Sequence, residues 1–279
     1  VTLLFQNYFN QINYTPSKAM KDNSILEVFS QLSFSGSGNR QIGGPSSGLV
    51  NILLIGQDAR EGEDQSRSDS MILCTYNKNT KALTMTSFLR DLYVPIPGHG
   101  SNRINAAYTY GGASLLQETI SQNFNVVIDG CMEVDFSHFS DIIDSLGGVE
   151  IELRQDEAQV INQQTGSSLA EGVNLLNGTQ ALVYSRIRSL DVDGDFSRTS
   201  RQRKVINALA DSLRGTGIRE MTPVISKILP MVTTDLSRGQ LVLYAVEILP
   251  HLSNMDILSQ SIPAEGTFTD KTIDGMAVL

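Results

Sequence analysis

Several stretches of the chain are nearly continuous in apolar residues. Residues 49–56 (LVNILLIG) and 69–77 (DSMILCTYN) are of this kind, and residues 81–89 (KALTMTSFL) follow after a short polar turn. Runs of this length are typical of central strands that are buried on both faces. We therefore predict three central strands, of which the last two form a hairpin, and a further strand at residues 149–153 (VEIEL).

Apolar residues at helical spacing occur between and after these strands. They predict five helices, at residues 112–124, 135–148, 178–187, 197–215 and 239–252. Because strands and helices interleave along the chain, we predict an α/β fold with a mixed central β-sheet sandwiched between helical layers.

The first 48 residues differ in composition from the rest of the chain. Residues 33–48 (SFSGSGNRQIGGPSSG) are rich in glycine and serine, which is typical of a flexible linker. We predict a juxtamembrane or linker segment at residues 1–48 and one compact domain at residues 49–279. The first residues, VTLLFQNYF, fit either the outer end of a removed membrane anchor or the start of an amphipathic helix.

Composition excludes some classes of protein. The 279 residues carry a formal net charge of −9 at pH 7. This acidic balance excludes a general nucleic-acid binder, because no broad basic face could neutralise a phosphate backbone. No run of about 18 apolar residues is available to span a membrane. Cys74 and Cys131 have no metal-binding spacing and fit either two buried thiols or one disulfide.

Familiar catalytic signatures are absent from the sequence. It contains no Walker A, HExxH or GxSxG motif. The three histidines, which we interpret as structural or surface residues, are His99, His138 and His251. A Ser-His-Asp or Cys-His enzyme is therefore not expected. The stretch DVDGDFSRTSRQ has the first aspartates of a calcium loop, but Phe196 and Gln202 stand where glycine and glutamate are required.

Five arginines are concentrated in the stretch YSRIRSLDVDGDFSRTSRQR. Arg186 and Arg188 lie two residues apart, so they share a face if the segment is extended. Arg198, Arg201 and Gln202 lie three and four residues apart, and we expect them to share a helical face. Arginine forks suit phosphate oxygens, and several converging forks suit a pyrophosphate. The alternative is a solvated face of arginine–aspartate pairs.

Further charged residues lie next to the ends of the predicted strands. Asp58 follows the first strand and Asp69 precedes the second, and two such carboxylates form a hard oxygen site that suits Mg²⁺. Arg90 and Asp91 follow the third strand, and Arg103 precedes a helix. Together these positions predict a magnesium–pyrophosphate site.

The order of these motifs resembles the LytR-CpsA-Psr family of bacterial cell-wall proteins. The matching stretches are NILLIGQDAR, RSDSMIL, SFLRDLYV, RINAAYTYGG, VDFSHFSDIIDSLGGVEIEL, LNGTQALVYSRIR and DGDFSRTSRQR. The resemblance is continuous over about residues 49–210. It implies that the sheet and helices enclose a hydrophobic lipid-binding tunnel, and that residues 49–279 form the catalytic domain.

The resemblance also implies an activity and a location. Members are membrane-anchored at the extracytoplasmic face of the cell, here expected to be that of a Gram-positive bacterium. The implied reaction is a Mg²⁺-dependent phosphotransfer. It moves a phosphate-linked glycopolymer, such as teichoic acid or capsule, from a polyprenyl-pyrophosphate carrier to a peptidoglycan hydroxyl. The other functions that these residues allow are a polyprenyl-pyrophosphate phosphatase, a non-catalytic module that binds lipid pyrophosphate, and an extracytoplasmic structural protein.

Roles for individual residues follow from the same resemblance. Asp58 and Asp69 match magnesium-associated aspartates. The expected pyrophosphate-binding residues are Arg67, Arg90, Arg103, Arg186, Arg188, Arg198 and Gln202. Arg103 stands where many members carry lysine, and Ser197 where many carry glycine. The acceptor hydroxyl needs a base, so Asp91 and Asp195 are candidate catalytic residues beside Arg90.

Overall fold

The computed structural model describes residues 13–14, 48–58, 67–191, 194–214 and 227–279 of the chain. The strands within these residues are β1 (Asn13–Tyr14), β2 (Leu49–Asp58), β3 (Arg67–Asn77), β4 (Ala82–Phe88), β5 (Tyr93–Ile96), β6 (Gly100–Arg103), β7 (Gly130–Asp135), β8 (Val149–Leu153), β9 (Gly172–Leu176), β10 (Thr233–Thr234), β11 (Ile257–Ile262), β12 (Lys271–Ile273) and β13 (Met276–Val278). The helices are α1 (Ala106–Phe124), α2 (Phe136–Ser145), α3 (Gln155–Thr165), α4 (Gly178–Arg186), α5 (Gly194–Ser212) and α6 (Arg238–Ile248).

Seven strands form one mixed sheet in the order β1-β10-β7-β2-β3-β4-β11. β2 is antiparallel to β3 and parallel to β7, while β4 is antiparallel to β3 and parallel to β11. The three predicted central strands are confirmed, and the predicted hairpin is β3–β4. Helices pack on both faces of this sheet, so the predicted α/β class is confirmed as well.

The first face of the sheet packs against α1 and the β5–β6 hairpin. Leu53, Met71 and Phe88 point to this face, and they form a buried core with Leu116 and Ile120 of α1. The alternate residues of the same strands point to the other face. Central strands that bury both faces need apolar residues at nearly every position, which is the pattern that the sequence shows.

The second face carries two groups of helices. At one end α6 packs on Ile52 and Met132 through Leu241 and Val242. Towards the other end α2, α4 and α5 stand over the sheet. Behind them α3 and the separate β8–β9 hairpin complete another buried core, which includes Tyr184 of α4.

Local sequence signals position the two helices that border the candidate site. α2 begins after Asp135, whose carboxylate accepts a hydrogen bond from an amide of the first helical turn. α4 begins after Asn177, which forms a capping box with Gln180. At Gly178 the two helices approach so closely that an added Cβ would lie 2.1 Å from the backbone oxygen of Ser140. Glycine is therefore required where α4 crosses α2.

Two features of the helices and strands depart from the apolar pattern. α1 begins at Ala106, earlier than the predicted start at residue 112, and it is kinked at Gly111 and Gly112. The glycine pair interrupts the helical spacing, so the pattern predicts only the part after the kink. The pattern also does not predict α3, which is mostly polar, or any strand other than β2, β3, β4 and β8. Of the missed strands, β11 lies at the sheet edge with exposed serine and glutamine.

The predicted linker at residues 1–48 is described only at β1 and Gly48, and its other residues lie outside the described part of the chain. β1 pairs in parallel with β10 at one edge of the main sheet. Of the helices described, none has an apolar stretch long enough to cross a membrane.

The two cysteines are both free thiols. Cys131 belongs to the core on the first face, together with Leu53 and Leu73. Cys74 follows Leu73 on β3 and therefore points to the opposite face, because successive side chains alternate along a strand. The sheet separates the two sulfur atoms, which excludes the disulfide alternative.

Candidate active site

An apolar cavity of about 220 Å³ lies between the second face of the sheet and helices α2, α4 and α5. The sheet contributes Leu54, Ile72, Met132 and Val134, and the helices contribute Phe136, Phe139, Ile142, Ile206 and Leu209. Its polar side chains are Ser70, Ser185 and Gln202. The hydrophobic cavity that the family resemblance implies is therefore present.

A β-bulge places Asp69 beside this cavity. Gly56 pairs with Ser70, but the next residue, Gln57, pairs with Ser68, so Asp69 is an extra residue on β3. A bulge bends its strand and re-aims a side chain, and bulges are common next to active sites. Ser70 lines the cavity, and Asp69 is its neighbour along β3.

Arg90 is the centre of a cluster of charged side chains. Its Nη1 atom donates a hydrogen bond of 3.2 Å to Asp69 Oδ1. Its Nε atom lies 3.4 Å from Asp91 Oδ2 and 3.7 Å from Asp195 Oδ1. One guanidinium thus holds together three carboxylates that come from β3, from the turn after β4 and from the start of α5. The structure brings these predicted site residues together.

Asp195 and Arg198 extend the cluster into the first turns of α5. Arg198 Nη2 lies 2.7 Å from Asp195 Oδ1, and the Arg198 side chain is only 2% exposed. Burial raises the pKa of the Asp195 carboxyl, an effect that Arg90 opposes and the carboxylate of Asp91 reinforces. Asp195 is therefore a carboxylate whose charged form is less favoured than usual.

Several buried polar atoms of this cluster have no hydrogen bond among the described residues. They are Arg90 Nε, Asp91 Oδ1, Asp195 Oδ2, Gln202 Oε1 and the three guanidinium nitrogens of Arg198. Of these, Arg90 Nε, Asp91 Oδ1 and Arg198 Nη2 make only ion-pair contacts. Buried polar atoms are almost always hydrogen-bonded, so this concentration of unsatisfied donors and acceptors is unusual. It indicates a site that is completed by a polar ligand.

The arginine pair lies at the same end of the cavity. α4 ends at Arg186, and Ile187 is extended and buried, so Arg186 and Arg188 both point to the exposed side. The Arg186 guanidinium lies over the Phe136 ring at 4.6 Å from its centroid. Arg188 Nη2 lies 3.8 Å from Asp69 Oδ1. The segment from Arg186 to Arg188 is thus extended at Ile187, which is the geometry in which the two arginines share a face.

Arg103 has two kinds of neighbour. Its Nε and Nη2 atoms donate hydrogen bonds of 2.9 and 2.5 Å to the backbone oxygen of Ala277 in β13. Its Nε atom also lies 3.3 Å from Asp91 Oδ1. Arg103 therefore connects the C-terminal β12–β13 hairpin to the charged cluster, and its expected contact with pyrophosphate remains a prediction.

Asp58 and Arg67 occupy the last position of β2 and the first of β3, where they pair with each other across the sheet. Their backbone thus lies at the same strand ends as Asp69. Their side chains lie outside the described part of the structure, so their predicted roles stay predictions.

Arg201 does not join the cluster, contrary to the helical face that we predicted for it. Its Nε atom bonds Glu157 Oε1 at 2.8 Å, its Nη1 atom donates to the backbone oxygen of Ile187, and its Nη2 atom contacts Asp191. Arg154 bonds the other oxygen of Asp191. Arg201 is buried in this ion-pair network, because its side chain is directed towards Glu157 of α3.

Phe136 and Glu157 support the arginines but have no distinctive signal in the sequence. Phe136 is the first residue of α2. Its role depends on the contact of its ring with the Arg186 guanidinium at the end of α4. Glu157 belongs to the acidic stretch RQDE, which is indistinguishable from a solvated helix start. A buried arginine in the opposing helix is what gives this glutamate a partner.

No group of three or more histidine, cysteine, aspartate or glutamate side chains is arranged to hold a metal ion in the described ranges. Mg²⁺, however, is usually bound by one or two carboxylates together with the phosphates of a ligand. Asp69 supplies one such carboxylate, and Asp58, at the last position of β2, is a second aspartate at the same strand ends. The donor set therefore fits Mg²⁺ bound with a phosphate ligand.

These features define a class of α/β protein in which an apolar cavity between sheet and helices ends at a cluster of arginines and aspartates. The chain belongs to the LytR_cpsA_psr family, whose model matches residues 7–279.

Individual relatives agree with this assignment. The chain is 32% identical over 218 residues to the polyisoprenyl-teichoic acid–peptidoglycan teichoic acid transferase TagT of Bacillus subtilis, covering 76% of this chain and 66% of the relative. It is 37% identical over 196 residues to TagU of Bacillus anthracis, a transferase of the same description, covering 69% and 62%. The chain thus spans less than two thirds of the length of these relatives.

A solved structure extends the comparison to three dimensions. It is that of the LytR-CPS2A-psr family protein YwtF (TagT), a Bacillus subtilis protein, with bound octaprenyl pyrophosphate lipid. It matches with a TM-score of 0.64 and 27% sequence identity, over 86% of this chain and 86% of that chain.

Proposed function

We propose that this protein transfers a phosphate-linked glycopolymer from a polyprenyl-pyrophosphate carrier to a hydroxyl group of peptidoglycan. The observation that carries the proposal is the apolar cavity that ends at the arginine–aspartate cluster. The cavity suits an isoprenoid chain, and the cluster suits a pyrophosphate. The names of the relatives TagT and TagU support the transfer reaction, and the octaprenyl pyrophosphate bound to TagT supports the ligand class.

The arginines supply the electrostatic part of this function. Arg186 and Arg188 grip the pyrophosphate from the exposed side, and we assign Arg67 to the same ligand. Arg90 and Arg198 stabilise the charge that develops on the transferred phosphoryl group, since their guanidinium groups are already in place before reaction. Gln202 contributes an amide at the junction of cavity and cluster.

In the proposed reaction the oxygen of a peptidoglycan hydroxyl attacks the phosphorus atom that carries the glycopolymer. A P–O bond to the acceptor forms, and the P–O bond to the bridging oxygen breaks. Polyprenyl phosphate leaves with the electron pair of that bond. We assign the acceptor proton to Asp195, because a carboxylate with a raised pKa is a better general base near neutral pH. Asp91 holds Arg90 and Arg103 in position.

Magnesium completes the proposed site. Asp69 and Asp58 are the residues that would hold Mg²⁺, which would supply neutralisation of negative charge on the phosphoryl group. We expect chelation with EDTA to lower the transfer rate at least about tenfold, because this charge stabilisation is lost. Added Mg²⁺ should restore the rate, and Asp69→Asn should need a higher Mg²⁺ concentration for half of its activity. Transfer at the full rate in EDTA would contradict the magnesium requirement.

The reaction itself is tested by following a radiolabelled lipid-linked glycopolymer. We expect the label to move to peptidoglycan, with polyprenyl phosphate as the second product. Release of the glycopolymer phosphate at the same rate without peptidoglycan would instead identify a phosphatase. Saturable lipid binding without any product would identify a carrier. We propose that the reaction takes place at the outer face of the bacterial membrane, since peptidoglycan is its acceptor.

Filling the cavity tests the lipid-binding part of the proposal. Ile206→Trp should lower the affinity for octaprenyl pyrophosphate about tenfold or more, because each CH₂ group kept in water costs about 0.8 kcal/mol. Binding of a five-carbon isoprenyl pyrophosphate should change little, since it reaches only the charged end. Both affinities are measured by titration calorimetry.

The matched control is Val246→Trp, which adds the same ring at an exposed position of α6. It should bind both ligands like the wild type. An equal loss for the long and the short ligand in Ile206→Trp would contradict the assignment of the cavity to the isoprenoid chain.

A further inference from the structure

An exposed pair of aromatic rings lies outside the cluster described above. His99, in the turn of the β5–β6 hairpin, stacks on Tyr110 of α1 with ring centroids 4.8 Å apart and planes inclined by 17°. Tyr110 is the one aromatic residue among the exposed large hydrophobic side chains described, with 45% of its surface accessible. Burial of apolar area does not account for a ring that stays this exposed.

Hydrogen bonds and backbone geometry hold the two rings in place. Asn102 Nδ2 bonds the Tyr110 hydroxyl at 2.7 Å, and the His99 amide donates to the Ile96 carbonyl oxygen within the hairpin turn. Tyr110 also ends the first helical turns of α1, because the backbone leaves helical geometry at the next residue, Gly111. We therefore regard the pair as a preformed flat surface with an amide at its edge.

This surface is linked directly to the proposed active site. Asn102 precedes Arg103, whose Nε atom lies 3.3 Å from Asp91. The Asn105 amide, just before α1, donates to the backbone oxygen of Arg90. Five helical residues separate Asn105 from Tyr110, a displacement of about 8 Å along the helix axis. The backbone of Tyr110 thus lies about 8 Å along α1 from the residue that bonds Arg90, a span comparable to one or two sugar residues.

The chemistry of the surface selects a carbohydrate. A pyranose ring has an apolar face of C–H groups, which packs on an aromatic ring, and a rim of hydroxyl groups that hydrogen-bond to amides. The described residues that build the surface, His99, Asn102 and Tyr110, include no permanently charged group. We infer that His99 and Tyr110 form a binding surface for a sugar ring of a glycan substrate. The inference rests on the proposed function and adds to it the positioning of a sugar next to the phosphate.

Two glycans have this chemistry, the polymer on the donor and the peptidoglycan acceptor, and the experiment separates them. Steady-state kinetics are measured for Tyr110→Ala with each substrate varied in turn. We expect a rise of about three- to tenfold in KM for one glycan, because an aromatic contact of this kind contributes on the order of 1 kcal/mol. The affinity for octaprenyl pyrophosphate, which has no sugar, should stay unchanged.

Two further variants and a control make the result specific. Tyr110→Phe keeps the ring and should retain most of the wild-type KM, whereas His99→Ala should show part of the effect of Tyr110→Ala. Leu258→Ala removes another exposed apolar side chain, at the sheet edge, and should have no effect on either KM. A rise in the KM for the lipid-linked donor assigns the surface to the donor sugar, and a rise in the KM for peptidoglycan assigns it to the acceptor.

Unchanged KM values for both glycans in Tyr110→Ala and His99→Ala would overturn the inference. A loss of octaprenyl pyrophosphate affinity in Tyr110→Ala would also overturn it, since the ring would then support the charged cluster. Binding of an N-acetylglucosamine tetrasaccharide to the unliganded protein, followed by NMR, is independent of transfer. If the proposed function failed, the wild type would not bind the lipid. The tetrasaccharide titration would still test the aromatic surface, because it compares wild type with Tyr110→Ala.

Discussion

Alanine at both Arg186 and Arg188 is expected to lower the affinity for octaprenyl pyrophosphate about a hundredfold or more. In the proposed site each arginine would donate hydrogen bonds to the charged pyrophosphate, and such bonds contribute roughly 1.5–3 kcal/mol each. Both side chains are exposed at the polar end of the cavity, and Arg188 lies 3.8 Å from Asp69. Titration calorimetry of wild type and the double variant measures the loss.

Two controls show whether the loss comes from the arginine forks. Arg214→Ala removes an arginine of similar exposure that pairs with Asp211 at the end of α5, and it should bind like wild type. Lysine at both Arg186 and Arg188 keeps the charge but lacks the planar fork, so affinity should recover only in part. Wild-type affinity in the double alanine variant would remove these arginines from the ligand site.

Breaking the buried ion pair between Glu157 and Arg201 is expected to have the largest effect on stability. Both side chains are less than 5% exposed, and the Arg201 Nε atom lies 2.8 Å from Glu157 Oε1. Arg201→Met leaves Glu157 as a buried charge without this partner. The free energy of unfolding, measured with urea, should fall by about 3–5 kcal/mol. Because Arg201 also bonds the Ile187 carbonyl oxygen, the variant should bind lipid pyrophosphate more weakly through Arg186 and Arg188.

The double variant Glu157→Leu/Arg201→Met separates the effect of an unpaired buried charge on stability from the effect of lost packing. It should recover a large part of the lost stability, because an apolar pair of similar volume avoids the buried unpaired charge. The exposed pair Arg214–Asp211 gives the comparison on the surface, where Arg214→Ala should change the free energy of unfolding by at most about 1 kcal/mol. Equal losses for Arg201→Met and Arg214→Ala would contradict the structural role of the buried pair.

Much of the fold follows from the order of apolar residues along the chain. The runs at β2, β3 and β4 predict central strands because only strands buried on both faces need apolar residues at nearly every position. The helical spacing locates α2, α4 and α6, and α6 packs on the sheet through Leu241 and Val242. The family motifs predict the arginines and aspartates of the site from the sequence, since several charged residues next to strand ends match in order and spacing.

The direction in which each charged side chain points depends on packing between distant segments. Arg198 and Arg201 share a local pattern, yet one meets the Asp195 carboxylate and the other meets Glu157 of another helix. Asp69 reaches Arg90 because a bulge in β3 breaks the two-residue alternation, and a bulge depends on hydrogen bonds with the neighbouring strand. The sequence thus determines three central strands, most of the helices and the types of charge. The grouping of those charges follows from contacts between residues far apart in the chain, because a side chain turns to the partner that compensates its burial.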